Sequence, residues 1–217
     1  MKYIPTLTLV ALTAAASAQT APAAAPVAAT GFNYNTVSVN YSNEDFKSIG
    51  DGLTITTLEL SNKIAKNLVA SIGIAVSGAL EEPNYDISNG LLLGIAYVHT
   101  LDAKTDLVLS VSSLNANTGG DTDSQSISFI NYDLGLRHNL GSGLELTASV
   151  GRDNYTHEES DSAAAGDGSD RTTASVGIGY ALSKELSVSA KAKWAFADSG
   201  RDNTESRGYS LSVGYNY

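Results

Sequence analysis

Residues 207–217 alternate without a break: Tyr209, Leu211, Val213, Tyr215 and Tyr217 fall on one face, and Gly208, Ser210, Ser212, Gly214 and Asn216 on the other. A period of two is that of a β-strand with one apolar and one small polar face. The pattern recurs upstream. Leu68, Ala70, Ile72, Ile74 and Val76 make one stripe, Leu144, Leu146, Ala148 and Val150 a second, and Ala174, Val176, Ile178 and Tyr180 a third, each opposed mostly by Ser, Thr, Gly and Ala. Ten strands are predicted, over residues 34–41, 53–60, 68–76, 91–99, 106–113, 127–138, 144–152, 173–181, 186–196 and 208–217, with eight as the alternative count.

The connections at 61–67, 100–105, 140–143 and 182–185 are short, and those at 42–52, 77–90, 114–125, 153–172 and 197–207 are long. Strands near the ten-residue span of a tilted membrane crossing, joined alternately by short and long connections, describe an all-β, antiparallel up-and-down transmembrane barrel. Both ends of the barrel sequence then lie on the short-turn side, which in such barrels is the periplasm. Aromatics agree with this. Tyr97, Tyr180, Tyr215 and Tyr217 fall towards the short-turn rim, and Tyr41, Trp194, Phe196 and Tyr209 towards the other, as expected of rings that prefer the headgroup level. Two strands break phase, the first between Phe32/Tyr34 and Val37/Val39/Tyr41, the second between Leu53/Ile55 and Leu58/Leu60. A bulge in each is expected, since one extra residue restores the face.

No run reaches the roughly twenty apolar residues of a membrane helix. The N-terminus instead reads as a secretory signal over residues 1–18: Lys2 precedes an apolar stretch that ends in Ala16-Ser17-Ala18, a small-x-small cleavage pattern. Residues 19–31 are a Pro/Ala-rich leader without periodicity, expected as a periplasmic linker, and residues 32–217 are the barrel. With no cysteine, an exported chain has neither a disulfide framework nor a thiolate site.

The formal charge is −10, and its distribution matters more than its size. Glu44, Asp45, Asp51, Asp121, Asp123, Asp153, Glu158, Glu159, Asp161, Asp167, Asp170, Asp198 and others are assigned to the long connections, with Lys47, Arg171, Arg201 and Arg207 as the bases among them. Such a surface repels nucleic acid, whose binding needs clustered Lys and Arg. Residues 119–124 and 167–170 offer oxygens to calcium, but neither has the twelve-residue loop with its closing glutamate, so no metal site and no cofactor is assigned.

Inside the strands, Glu59, Asp106, Asp133, Arg137, Glu145, Lys191 and Lys193 take the inward phase, with glycines such as Gly73, Gly94, Gly135, Gly151, Gly177 and Gly179 between them. Unpaired ions in a closed lumen are costly. A network of Glu59, Asp133, Arg137, Glu145, Lys191 and Lys193 is therefore expected to plug it, with Arg137 and Glu145 as direct or diagonal neighbours across the Gly141-Ser142-Gly143 turn. Catalysis is not expected. His99 and His138 take outward positions at strand ends, and His157 lies in an acidic loop without an orienting partner. Strands this short are also not expected to rise above the membrane, as those of surface proteases do.

Signal, alternation, short inner turns, long outer loops and terminal aromatic together resemble the superfamily of small bacterial outer-membrane β-barrels that includes the OmpA, OmpX and opacity-type proteins. The resemblance covers residues 32–217. It implies an outer-membrane location, outer-membrane lipid and lipopolysaccharide as surroundings, and the barrel assembly machinery as a partner. The recognition signal for that machinery would be Tyr209, Leu211, Val213, Tyr215 and Tyr217, with Tyr217 where phenylalanine is more usual. The expected function is structural or surface-interacting through acidic extracellular loops. The alternative is a narrow pore for water, ions or small solutes.

Overall fold

The computed structural model describes residues 32–46, 52–80, 85–119, 124–159, 169–197 and 205–217. The expected signal and leader lie outside these residues, as do Asp121, Asp123 and Asp167 of the candidate calcium turns. Among the described residues, ten antiparallel strands close into a barrel: β1 (Thr36–Phe46), β2 (Gly52–Ala65), β3 (Leu68–Leu80), β4 (Tyr85–Asp102), β5 (Thr105–Gly119), β6 (Ser124–Gly141), β7 (Leu144–Glu159), β8 (Ser169–Ala181), β9 (Leu186–Ala197) and β10 (Ser206–Asn216). Each strand pairs with its successor, and β1 pairs with β10 from Thr36↔Asn216 to Phe46↔Ser206. Closure leaves no strand edge, so every backbone ladder is satisfied without water.

The alternating stripes decide which way the wall faces. Ile72, Ile74, Leu93, Ile95, Leu109, Leu134, Leu146, Val150, Val176, Leu211 and Val213 are all exposed on the outside. In water this belt would be an aggregation surface; in a bilayer it is the face that lipid covers. Tyr97, Tyr180, Tyr215 and Tyr217 ring the short-turn end, while Tyr41 and Tyr209 meet near the other, their centroids 6.1 Å apart. At the β6–β7 turn, Gly141, Ser142 and Gly143 have φ of 91°, 54° and 81°. Glycine at the two flanking positions removes the steric penalty of that left-handed backbone.

Two expectations are corrected. β1 and β2 pair without a register shift, so neither contains the expected bulge; the β2–β3 ladder shifts instead, at Thr56/Thr57, where Val76 of β3 is left over, and near the short turn at Lys63/Ala65, where Ile64 of β2 is. Leu53 and Ile55 therefore keep the phase of Thr57 and point inward. The strands are also longer than expected. β4 and β6 have 18 residues each and β7 has 16, against 11 in β1 and β10. At ~3.3 Å per residue and a tilt of roughly 40°, an 18-residue strand climbs about 45 Å, well beyond an apolar band of about 25 Å. One side of the barrel thus rises above the bilayer, and strand length no longer argues against it.

Candidate functional site

The inward side chains fall into three layers. The layer farthest from the short turns is a septum built around an ion cluster, buried at Arg171 and Asp153 and part-exposed at Lys193. Arg171 of β8, 1% exposed, reaches Glu44 of β1 at 2.8 Å and Asp153 of β7 at 3.0 Å, and also donates to Ser206 Oγ at 3.1 Å. Lys193 Nζ lies 2.6 Å from Asp153 Oδ2 and 3.9 Å from Glu44 Oε2. Asn131 donates to Asp153, and Ser206 to Glu44. Two cations and two carboxylates thus neutralise one another, which is what buried charge requires. Around the rest of the ring the wall is apolar: Leu53, Ile55, Ala75, Ile87 and Ala116 are buried together, with Leu114 and Phe129 packed on them.

On β7 to β10 the middle layer is small and polar. Thr147, Ser149 and Gly151 of β7, Ser175, Gly177 and Gly179 of β8, Ser187 and Ser189 of β9 and Ser210 and Ser212 of β10 share the inward phase. Ser149 and Ser175 hydroxyls are 2.8 Å apart. Ser189 and Lys191 point inward yet are exposed, so water reaches this layer. Asn40 donates to Glu59 Oε2 at 3.4 Å, and Lys191 lies within electrostatic reach of Glu59. Asp133 lines the opposite wall, facing Ser110 and Gly151 in the register. A Cβ on Gly151 would collide with the Asp133 carboxylate, which is why glycine stands there.

At the short-turn end, Arg137 donates from Nε and Nη2 to the two oxygens of Glu145, both at 2.8 Å. The register places Asn139 opposite Glu145 and Arg137 opposite Thr147, so the pair is diagonal. The Arg137 guanidinium carbon is also 4.6 Å from the ring centroids of both Phe32 and Tyr34. Tyr34 donates its hydroxyl to Asp106 at 2.8 Å. Burial raises the Tyr34 pKa, against the lowering pull of Arg137, so the hydroxyl keeps its proton.

Of the predicted network, Arg137 and Glu145 thus form a pair, while Glu59, Asp133 and Lys191 line the wet middle layer and Lys193 belongs to the septum. Three septum residues, Glu44, Asp153 and Arg171, expected in the long connections, sit instead on strands inside the barrel. Their signal was present, because Asp153 continues the inward series of Glu145, Thr147, Ser149 and Gly151, and Arg171 that of Ser175 and Thr173. Phe32 and Tyr34, read as lipid-facing after a bulge, instead enter the lumen. Tyr209, Leu211, Val213, Tyr215 and Tyr217 are exposed on the outer face of β10.

His99 and His138 face outward and are exposed, with Thr105 Oγ1 3.0 Å from His138 Nδ1. The His157 side chain lies outside the described residues. Among the described residues no group of three His, Cys, Asp or Glu is arranged to hold a metal ion.

A closed antiparallel barrel with a lipid-facing apolar belt and an ion-paired, partly polar interior is an outer-membrane β-barrel. Residues 32–213 match the family described as "Putative MetA-pathway of phenol degradation", and the chain belongs to that family. No curated protein sequence matches it. Its backbone is similar to an outer-membrane channel from Pseudomonas putida F1, at 12% identity and a TM-score of 0.53, covering 87% of this chain and 96% of that one. It is also similar to the translocator domain of the autotransporter NalP from Neisseria meningitidis, at 13% identity and a TM-score of 0.47, over 97% of this chain and 95% of that one. Ail of Yersinia pestis, solved with the heparin analogue sucrose octasulfate, matches at 11% identity and 0.47, over 86% of this chain and all of that one. At such identities the likeness is one of fold.

Proposed function

We propose that this protein, exported by its N-terminal signal, is a narrow gated channel for small solutes rather than a purely structural barrel, and that it has no catalytic role. One observation carries this reading: a water-reached middle layer of Ser, Gly and Thr, with Lys191 and Ser189 exposed inside it, lies between two ion-paired collars. Barrel diameter grows with strand number, so ten strands enclose a lumen roughly a quarter wider than eight, and small inward residues leave that width unfilled. The septum sets an apolar wall beside a charged one. That pairing suits small amphipathic solutes, a class that includes the phenols of the family's description.

Single-channel recording of the purified barrel in planar bilayers tests the proposal. Discrete openings with sub-nanosiemens conductance are the expected result, and a silent barrel that also fails to pass small solutes in liposome swelling would overturn it. A second reading, a surface-interaction barrel, is favoured by the tall wall of β4 to β7, which offers a face above the bilayer. Loss of binding to a partner surface on trimming that wall, with no conductance to lose, is its signature.

A further inference from the structure

Residues 32–35 precede β1 and belong to no strand. Their backbone is rooted at the seam beside β1, since Ser61 Oγ donates to the Tyr34 carbonyl at 3.0 Å, Lys63 N to Asn35 Oδ1 at 2.8 Å and Tyr217 N to the Asn35 carbonyl at 3.2 Å. The two aromatic side chains do not stay there. Tyr34 bonds Asp106 of β5, and both Phe32 and Tyr34 pack on Arg137 of β6. In the ring order β5 is four positions from β1 and β6 is five, the far side of a ten-stranded barrel. The segment therefore crosses the mouth along a diameter.

We infer that residues 32–35 form a strap that bars the short-turn mouth of the lumen and is released to open it, an inference that rests on the channel reading and supplies its regulation. The seat is built to stand alone. Arg137 keeps both of its bonds to Glu145 when the aromatic rings leave, so release strands no buried cation. The contacts that hold the strap's far end are two ring faces on a guanidinium and the bonds of one hydroxyl, whereas its root is held by three hydrogen bonds, to β2 and to Tyr217. A segment fixed at one end and lightly held at the other swings about its root. Asp106, 5% exposed beneath Tyr34, gains water when the strap departs.

The chain has no cysteine, so Ser189→Cys places a single thiol in the wet layer behind the strap. Its reaction rate with a sulfonated, membrane-impermeant methanethiosulfonate, added only on the short-turn side of bilayer-inserted barrels, reads access through the strapped mouth without requiring conduction. With the strap intact labelling should be slow, and Phe32→Ala/Tyr34→Ala should speed it about tenfold and raise single-channel conductance. Tyr34→Phe, which keeps the ring and removes only the hydroxyl, should speed it about threefold and covers the case in which the double variant fails to fold. Faster labelling in a barrel that never conducts would uphold the strap and overturn the channel. Fast labelling with the strap intact, or rates indifferent to both variants in barrels that resist heat like the parent, would overturn the strap while leaving any measured conductance untouched.

Discussion

Arg171 of β8 and Glu44 of β1 meet 2.8 Å apart inside the barrel, with β9 and β10 lying between their strands. Asp153 holds the same guanidinium from β7 and Ser206 from β10, so one side chain ties four strands together. Removing Arg171 leaves two largely buried carboxylates with only Lys193 to answer them. Arg171→Met should therefore cost about 3–5 kcal/mol in urea unfolding, the range for breaking a buried pair from one side. Adding Asp153→Asn should recover part of the loss. An unchanged unfolding midpoint for the single variant would show that the septum does not support the wall.

The apolar side of the septum gives a second expectation. Ile55→Ala removes buried methyl groups from the cluster with Ile87 and Ala116, and should cost about 2–5 kcal/mol. It should also raise conductance, because the space it opens adjoins the wet layer. If Ile55 faced lipid instead, the substitution would be mild and the electrical behaviour unaltered.

The phase of β10 is open to a paired test. Val213 is exposed to lipid and Ser212 faces the lumen, opposite Ser189 and Asn40. Val213→Arg should lower folding yield by about 2–4 kcal/mol equivalent, the cost of a lipid-facing arginine at mid-depth, while Ser212→Arg meets water and nearby Glu59. Similar losses for the two in refolding from urea would contradict the assignment.

Orientation can be checked on whole cells. Residues 160–168 join β7 to β8 at the end opposite the short turns and carry no lysine or arginine. Added proteinase K should cut there and leave the Gly141–Gly143 turn intact. Cleavage at that turn in sealed cells would place the barrel upside down.

The ten strands, their pairing order and the lipid stripes were legible because alternation is a local property of each segment. What escaped was the direction of the apolar face wherever the lumen is dry. Leu53 and Ile55 carry the same letters as lipid-facing residues, and only the unbroken register between β1 and β2 says that they point inward. Composition misled in the other direction at Glu44, Asp153 and Arg171, since charge reads as loop unless a partner from a distant strand is in view. The aromatic strap was hidden for the same reason: a contact between Tyr34 and Asp106, 72 residues apart in sequence, leaves no periodic trace.

The seam between β1 and β10 carries a consequence for how this chain reaches its final form. Nine of the ten ladders join neighbours in sequence, but the last one pairs Thr36 with Asn216, so it waits for the whole polypeptide. Until the final strand arrives the wall is an open ribbon with two unpaired borders, and the chain must be chaperoned or pay the hazard of sticking to itself. Losing the last eleven residues would therefore not shorten the cylinder; it would leave a sheet that never becomes one.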